Sequence, residues 1–283
     1  MRRHRVVRVP GSCANLGPGY DVLAAAISLG LELVVEETGE FGVETDVPGV
    51  PLDRSNLCVR AFEALHPADD ISFAIRSDIA PAAGLGSSAA AIVAGLVAAD
   101  HRYELDEALL EHAILLEGHP DNVAASLLGG FVICADNSAE RFDPVPGLEG
   151  VLAIPPEPVS TAEARAAVPD RVPMADAVHN VGHAALLMLG LARGDLDLVG
   201  RGLADRLHQP YREGLYPRSI ELLDRAREFG AVAASISGAG PAVLFWCHWE
   251  QTGNLHEAVR AAAPDCDVRR VQFTPEGADV KAL

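Results

Sequence analysis

The chain has 283 residues, 49% of them hydrophobic and only 5% aromatic, so it can form one large domain or two modest domains around a real core. Its 40 acidic residues outnumber its 22 Lys and Arg residues and give a formal net charge of −18. Because phosphate backbones attract basic surfaces, this charge argues against nucleic acid as a partner. Any anionic ligand must be held by local structure, such as a helix terminus, a metal ion or a few arginines.

The cysteines and the hydropathy pattern indicate the compartment. Five cysteines occur at wide spacing, without a Cys-x-x-Cys pair, which argues against a disulfide framework or a zinc site and fits a reducing compartment. The first segment, MRRHRVVRVPGSC, lacks the apolar stretch of a signal peptide. No window approaches the ~18 to 20 uninterrupted apolar residues of a membrane span. We therefore expect a soluble, cytoplasmic protein without a membrane partner.

The first half of the chain predicts a mixture of strands and helices. Strands are predicted over 5–9, 22–35 (one strand or a strand pair), 41–47, 71–75 and 131–134, and helices over 57–65 and 87–101. The helix over 87–101 is apolar on all sides and is expected to be buried. Asp106 is expected to cap the next helix, and Pro120 to open another that stops at Gly129 and Gly130.

A polar segment with two prolines, residues 136–149, marks a candidate domain boundary. Beyond it, strands are predicted over 151–154, 231–236, 242–247 and 268–273, and helices over 174–193, 218–229 and 255–262. The capping box Ser160-x-x-Glu163 opens a short helix, and Asp195 is expected to cap one that runs to about Leu207. Because strands and helices mix without a steady βα repeat, we predict the α+β class.

The stretch PAAGLGSSAAA, residues 81–91, predicts a glycine loop that leads into a helix. It matches neither GxxxxGK[ST] nor GxGxxG. Gly84 and Gly86 allow the backbone to approach a ligand closely, and the helix that begins near Ser87 has unpaired amides at the positive end of its dipole. A phosphate is the natural occupant of such a position. The alternative is a glycine-rich turn with a serine cap and no ligand.

Three further loops are polar and rich in glycine or proline. They read PGSCANLGPGYD at 10–21, EGHPDN at 117–122 and SGAGP at 237–241. One such loop is common in proteins, but four in one compact chain suggest that they converge on a single site.

Together these loops resemble the motifs of the GHMP kinases. PAAGLGSSAA resembles the phosphate-binding motif of that superfamily, and SGAGP resembles its third motif. Within the superfamily the match is closest to the homoserine kinase family, whose signatures are similar to PGSCANLGPGYDVL, EGHPDNVAASLLGG, STAEAR and PYREGLYP. The resemblance extends from Val9 to about Phe245. One departure is Tyr20, where the family often has Phe.

The resemblance implies a two-domain GHMP kinase fold of the α+β class, with domains over 1–145 and 146–283 and the site in the cleft between them. It implies a left-handed βαβ unit in the N-terminal domain, which general handedness rules would not predict, a ferredoxin-like C-terminal domain, and a homodimer. The implied activity is ATP-dependent phosphorylation of the L-homoserine hydroxyl in threonine biosynthesis. The alternatives are a kinase for another small alcohol, such as a mevalonate-type acid or a sugar, and a non-catalytic metabolite sensor.

The resemblance also implies a set of nucleotide-binding residues. ATP is expected to contact Asn56, Pro81, Ala82, Ala83, Gly84, Leu85, Gly86, Ser87, Ser88, Gly238 and Gly240. Mg²⁺ is expected to be held by Ser88 and Glu117, which suits an ion that prefers oxygen ligands and usually takes one or two protein groups. Without the resemblance, Glu117 would be read as an ordinary solvated residue near a helix end.

For homoserine, the resemblance points to Asn15, Asp21, His119, Asn122, Arg165, His183 and Arg212. Arg165 and Arg212 suit the substrate carboxylate, because a guanidinium can bind it with two parallel hydrogen bonds. Asp21 suits the ammonium group, although it could also be a loop cap. Asn15 and Asn122 can orient the hydroxyl and, with Glu117, form the expected catalytic set.

Two points of chemistry follow from these residues. An amide cannot accept the hydroxyl proton, and some relatives have Asp at the position of Asn122, so we favour phosphoryl transfer without a dedicated protein base. His179 and His183 lie four residues apart on a predicted helix, but no HExxH pattern and no third ligand accompany them, which argues against zinc.

Overall fold

The computed structural model describes residues 4–282, so residues 1–3 and 283, which the predicted domains include, lie outside it. Within residues 4–282 the strands are β1 (Arg5–Ala14), β2 (Leu23–Glu37), β3 (Gly42–Thr45), β4 (Ile71–Ser77), β5 (Phe131–Ala135), β6 (Ser138–Phe142), β7 (Leu148–Ile154), β8 (Ala233–Ile236), β9 (Val243–His248), β10 (Asp267–Gln272) and β11 (Asp279–Ala282). The α-helices are α1 (Leu57–Glu63), α2 (Ser87–Tyr103), α3 (Leu109–Glu117), α4 (Asp121–Leu128), α5 (Thr161–Ala166), α6 (Met174–Arg193), α7 (Leu196–Gly202), α8 (Pro217–Asp224) and α9 (Thr252–Ala262). Short 3-10 helices occur at Pro210–Leu215 and Trp249–Gln251. In the described part of the chain, the helices are all too short or too polar to cross a membrane.

Seven strands form the first sheet. β11, β1, β2, β4 and β3 are neighbours in that order, and β5 pairs with β2 and with β6. β2 is long because two strands share it: residues 23–25 pair with β5, and residues 31–37 pair with β4. The segment predicted as one strand or a strand pair is therefore a single strand.

The only parallel pair among the described strands, β3 and β4, is connected through α1. Asn56 is the N-cap of α1, because its side chain accepts a hydrogen bond from the amide of Cys58. This pair and its helix form the βαβ unit that the resemblance implies. The left hand of its crossover stays a prediction.

Helix α2 packs on β1 and β2 and also contacts α1, α3 and α4. Its alanines and glycine present little bulk, so neighbours approach it on several sides and most of its residues are buried. Gly86 precedes it in the left-handed conformation, with φ of +70°. The buried helix thus fixes the position of the glycine loop at its N-terminus.

The remaining four strands form an antiparallel sheet in the order β10, β7, β9, β8. Helices lie between β7 and β8, and α9 lies between β9 and β10, which gives a βαββαβ sequence with strand order 4-1-3-2. This arrangement confirms the predicted ferredoxin-like C-terminal domain.

The two sheets share one apolar core. Phe131 of β5 and Trp246 of β9 both pack against Phe273, with ring centroids 5.0 Å apart in each case; Trp246 is stacked and Phe131 is tilted. All three side chains are buried. The core therefore continues from one sheet to the other and holds the cleft between them in place.

Some sequence predictions fail for local reasons. Asp106 does not cap α3: the cap position is Ala108, without a side-chain hydrogen bond, and Asp106 itself has φ of +56°. Helix α7 ends at Gly202 and does not reach Leu207. The Asp205 carboxylate accepts hydrogen bonds from the amides of residues 207–209, which form a turn and do not continue the helix. Helix α8 likewise ends at Asp224, before the predicted end at Phe229.

The polar segment over 136–149 contains strand β6, which pairs with β5 and has exposed side chains. Apart from β11, the strands of the first sheet precede residue 145, and the strands of the second sheet follow it. β11 comes from the far end of the chain and pairs with β1. The division into domains at residues 145 and 146 stays a prediction, and the N-terminal sheet includes one strand from beyond it.

Candidate active site

The four glycine- or proline-containing loops predicted to converge do meet. They border a cleft of about 390 Å³, which also reaches Asn56, Thr161 and Arg212. Its polar end lies at the starts of α2 and α4, and its other end is formed by apolar side chains that include Val47, Val50, Leu57 and Ile75. The cleft thus joins an apolar slot to a polar chamber.

The glycine loop presents amides to this cleft and its carbonyls to the protein. The carbonyl oxygens of Ala83, Gly84 and Leu85 accept hydrogen bonds from the Ala242 amide, the Ser237 hydroxyl and the Ser12 amide. Within the described residues, the amides of residues 84–88 donate to no protein acceptor. An anion placed over the loop would therefore find unpaired donors at the positive end of α2.

The glycine loop and the SGAGP loop interlock through their backbones. A Cβ on Gly84 would lie 2.2 Å from the carbonyl oxygen of Ser237 and 2.9 Å from the amide nitrogen of Gly240. A Cβ on Gly86 would lie 2.1 Å from Oγ of Ser12. Both glycines have positive φ, so contact and conformation each require glycine.

Ser88 and Glu117 are brought together from two helices. The Ser88 hydroxyl donates to Oε1 of Glu117 at 2.5 Å. Both residues line the cleft beside the free loop amides. No group of three His, Cys, Asp or Glu residues suited to hold a metal ion is found in residues 4–282, so a cation here would be held by these two oxygen donors together with oxygens of its ligand.

The EGHPDN loop is held by its own carboxylate. Oδ1 of the buried Asp121 accepts from Nδ1 of His119 at 2.9 Å and from the Asn122 amide at 2.7 Å. Burial lowers the pKa of His119, but the hydrogen bond and charge of Asp121 and the charge of Glu117 outweigh it, so the pKa is raised. The Asn122 side chain accepts from the Ser12 hydroxyl at 2.8 Å and donates to Oδ1 of Asp121 at 3.5 Å, which leaves one amide hydrogen of this cleft-lining residue for a ligand.

Asn15 and Asp21 organise the first loop, and both have positive φ. Asn15 donates to the carbonyl oxygen of Gly238 and accepts from the Asp21 amide, each at 2.8 Å, which leaves one amide hydrogen for a ligand. The Asp21 carboxylate forms two hydrogen bonds with Arg165, at 2.7 and 2.9 Å. The residues predicted to bind opposite charges of the substrate are therefore paired with each other.

Arg212 is a buried cation, 1% exposed, on the wall of the cleft. Its acceptors are all neutral: the carbonyl oxygens of Ala164 at 2.9 Å and Gly238 at 3.2 Å, and Nδ1 of His208 at 3.1 Å. Within the described part of the chain it forms no ion pair. Because an unpaired buried charge is costly, this arrangement indicates an anionic ligand at this wall.

His208 and Asp205 support this wall from behind. Both are buried, and Nε2 of His208 lies 2.8 Å from the carbonyl oxygen of Gly17. Asp205 accepts from the amides of Leu207, His208 and Gln209 and from the side chain of Asn180. Burial raises the pKa of Asp205, but the hydrogen bonds that it accepts from Asn180 and from the amides of Leu207 and Gln209 favour its charged form, and the pKa is lowered.

Several predicted residues do not reach the cleft. Pro81 and Gly240 lie outside its lining, and so does Asp21, which reaches the cleft only through its pair with Arg165. His183 faces back along α6, with Nδ1 2.7 Å from the carbonyl oxygen of His179. Asn56 lines the cleft, but its amide is engaged by the Cys58 amide and the Pro51 carbonyl. Their ligand contacts stay predictions.

Sequence reasoning missed three residues of this region. Ser12 supports Asn122, Thr161 lines the cleft beside Arg165, and His208 contacts Arg212. Ser12 and Thr161 lie inside the motifs PGSCANLGPGYD and STAEAR, so the motifs themselves could have indicated them. No local signal marked His208.

The chain matches two family models. Residues 56–130 match the GHMP kinases N terminal domain, and residues 187–265 match the GHMP kinases C terminal model. The first match contains the glycine loop, Glu117 and Asn122. The second contains Arg212 and the SGAGP loop.

Among curated proteins, the chain is 41% identical over 261 residues to the homoserine kinase of Moorella thermoacetica. The aligned region covers 87% of this chain and 88% of that protein. It is 40% identical over 273 residues to the homoserine kinase of Prochlorococcus marinus strain MIT 9215, covering 89% and 87%.

Solved structures give the same comparison in three dimensions. The crystal structure of homoserine kinase from Cytophaga hutchinsonii superposes with a TM-score of 0.89 at 27% identity, covering 98% of this chain and 97% of that one. The mevalonate kinase of L. major, solved with R-mevalonate, has a TM-score of 0.73 at 17% identity and covers 95% and 96%, a likeness of fold alone.

Proposed function

Because the chain belongs to the homoserine kinase family of the GHMP kinases, we propose that it transfers the γ-phosphoryl group of ATP to the side-chain hydroxyl of L-homoserine. The product would be O-phospho-L-homoserine, an intermediate of threonine biosynthesis. One observation carries the proposal: unpaired amides at residues 84–88 and the charge of Arg212, which no acidic side chain neutralises, line the same cleft. A nucleotide phosphate and an amino-acid carboxylate are complementary to these two positions.

The nucleotide would lie along the length of the cleft. The apolar slot around Val47, Val50 and Leu57 is suited to a base, and the loop amides are suited to the triphosphate. The hydroxyl of Ser88 and the carboxylate of Glu117 fit Mg²⁺, which prefers oxygen ligands. When bound, Mg²⁺ would neutralise negative charge on the phosphate oxygens.

Homoserine would bind between the first loop and helix α5. Arg165 and Arg212 are suited to its carboxylate and Asp21 to its ammonium group, and the bidentate Asp21–Arg165 pair would open to receive both charges. The free amide hydrogens of Asn15 and Asn122 would orient the hydroxyl oxygen towards the phosphate.

The proton of that hydroxyl needs no dedicated protein base in this proposal. Asn122 cannot accept it, and Oδ1 of Asp121 is already engaged by His119 and by the Asn122 amide. In a loose transition state the bond to the nucleophile is little formed, so the hydroxyl needs no prior deprotonation. Orientation of the substrates and electrostatic stabilisation would provide the acceleration. The proton would leave to the transferring phosphate or to water.

The test is release of ADP in a coupled assay with a panel of small alcohols. We expect turnover with L-homoserine to exceed that with mevalonate, simple sugars and 3-aminopropanol, and phosphorus NMR to detect a phosphate ester of homoserine. Preference for another alcohol would contradict the substrate. Nucleotide and homoserine binding without ADP release would contradict catalysis and favour a sensor.

We also propose that the chain forms a homodimer in the cytoplasm, without nucleic acid as a partner. Helix α6 exposes an apolar stripe of Met174, Val178, Val181 and Leu189. Two copies of a chain with a net charge of −18 repel each other, so they are expected to associate through a surface without charged side chains. The apolar stripe of α6 is such a surface, which favours it as the contact with a second copy. The five free cysteines support a reducing compartment.

A further inference from the structure

His208 is completely buried between the first loop and Arg212. Its Nε2 lies 2.8 Å from the carbonyl oxygen of Gly17, and its Nδ1 lies 3.1 Å from Nη1 of Arg212. The ring also stacks on Tyr20, with centroids 5.5 Å apart and planes inclined by 26°. Its two nitrogens and one face are therefore in defined contacts.

These contacts fix the protonation state of the ring. A carbonyl oxygen only accepts hydrogen bonds and a guanidinium only donates them, so Nε2 must carry a hydrogen and Nδ1 must carry a lone pair. The imidazole is neutral in this state. A second proton, on Nδ1, would point at an N–H of Arg212 and remove one of its acceptors.

We propose that His208 is a positioning residue, whose neutral imidazole orients the Arg212 guanidinium at the wall of the cleft without neutralising its charge. This inference rests on the proposed function in one respect, that Arg212 receives the substrate carboxylate. An Asp or Glu in place of His208 would form an ion pair with Arg212 and occupy the charge that the ligand needs. A neutral acceptor gives direction to the guanidinium and leaves its charge available.

The surroundings of His208 favour the same tautomer. Asp205 lies on the Nε2 side, 3.5 Å from that nitrogen, and is itself fixed by the amides of Leu207, His208 and Gln209. Its negative charge stabilises a hydrogen on Nε2 and lies on the side of the ring away from Nδ1. Burial and the charge of Arg212 lower the pKa of His208 against the opposing charge of Asp205.

Two substitutions separate the two hydrogen bonds of the ring. In His208→Asn, the amide oxygen can take the position of Nδ1 and keep an acceptor for Arg212, whereas the bond to Gly17 is lost. In His208→Gln, the longer amide can take the position of Nε2 and donate to Gly17, whereas Arg212 loses its acceptor. Both variants remove an aromatic ring, so each is the control for the other.

We expect the Kd and KM of homoserine to rise roughly tenfold in His208→Gln and no more than about threefold in His208→Asn. The KM of ATP and kcat should stay within about threefold of the wild type in both, because the triphosphate is bound at a different part of the cleft. An equal rise in the two variants, or a loss of kcat without a change in homoserine affinity, would overturn the positioning role.

Calorimetric titration of homoserine, without ATP, keeps this comparison separate from turnover. Wild-type protein that binds homoserine but releases no ADP would contradict the kinase proposal and leave the comparison of variants intact. Nitrogen-15 NMR of the wild type provides a measurement that needs no variant and no substrate. We expect a neutral ring with hydrogen on Nε2 at pH 7, and a hydrogen on Nδ1 would overturn the inference.

Discussion

Asp21 and Arg165 lie 144 residues apart in the chain and form a bidentate ion pair, with N–O distances of 2.7 and 2.9 Å, of which Arg165 lines the cleft. Each group satisfies the charge and hydrogen-bonding capacity of the other. A ligand that carries both an ammonium and a carboxylate can replace both partners, whereas a ligand with only one charge leaves the other group unpaired. We therefore propose that the pair selects for zwitterions, because an unpaired partner would cost binding free energy.

Arg165→Lys tests this selection. The substitution keeps the charge and removes the planar fork, and a charge-assisted pair contributes about 1.5 to 3 kcal/mol, so KM for homoserine should rise roughly ten- to a hundredfold. KM for ATP should barely change. Steady-state kinetics against homoserine and 3-aminopropanol provide the measurement, with the exposed Arg171→Lys as the control. Equal losses on both substrates would contradict a carboxylate contact.

Glu117→Gln tests the proposed metal position. It keeps the shape of the side chain and its hydrogen bond with Ser88 but removes the charge, so kcat at saturating Mg²⁺ should fall at least about a hundredfold. Glu111→Gln, on the exposed face of the same helix, is the control and should be neutral. Circular dichroism should show the same fold in both. Turnover of Glu117→Gln within a few-fold of the wild type would exclude the assignment.

Gly86→Ala tests whether the glycine loop tolerates a side chain. From the sequence alone, an added methyl group is expected to weaken ATP binding with little effect on stability. Its Cβ would instead contact Oγ of the buried Ser12 at 2.1 Å, so we expect a loss of roughly 3 kcal/mol of stability as well as weaker ATP binding. Gly39→Ala has a similar φ in open space and should lose only about 1 kcal/mol. Equal melting temperatures for the two variants would contradict the contact.

The lowered pKa of His208 predicts a pH dependence of stability. The unfolded chain takes up a proton near the ordinary value of about 6.5, and the folded chain does so only at lower pH. Between these values the unfolded state binds more protons, so stability is full above about pH 6.5 and falls as the pH drops towards the folded pKa. Asp205, whose pKa is itself lowered, stays charged in this window. Denaturant unfolding from pH 8 to 5 should show that the free energy of unfolding falls more steeply in the wild type than in His208→Asn. Parallel curves of unfolding free energy against pH would contradict this role of His208.

Val181→Asp tests the homodimer on helix α6. An aspartate at the centre of the apolar stripe would face its own symmetry mate, so light scattering should show a mass near 29.7 kDa in place of about twice that value. Leu115→Asp, on the exposed face of α3, is the control and should keep the wild-type mass. A monomeric wild type would exclude the dimer, and a dimeric Val181→Asp would exclude this face.

The site was predictable from the sequence where a function depends on local conformation. The glycine loop and the capping of α5 by Ser160 are short-range patterns, and both are found at the expected positions. Arg165 and Asp21 could be assigned to ligand charges only through the resemblance, and their mutual pairing depends on how two distant segments fold together. His208 carried no signal, because its partner Gly17 is 191 residues away in the chain.

The fold, like the site, was predictable from the sequence only where a local pattern determines the structure. Long apolar strands and the buried helix α2 were predictable, because their periodicity reflects burial. β6 and β11 were not, since each is short, largely polar and held at an edge by backbone hydrogen bonds that any sequence can make. Asp106 has a side chain that is common at helix caps, but its backbone is in the left-handed conformation two residues before the cap position of α3.

The pairing of β11 with β1 has a consequence for biosynthesis. β1 leaves the ribosome long before β11, and its outer edge stays open until the strand at residues 279–282 has been made. The nascent chain must therefore carry an unpaired edge through the synthesis of both sheets, a state that invites association with other chains. Chaperone dependence during translation should decrease sharply once β11 has emerged, and a chain that stops before residue 279 should aggregate even though every residue lining the cleft is present.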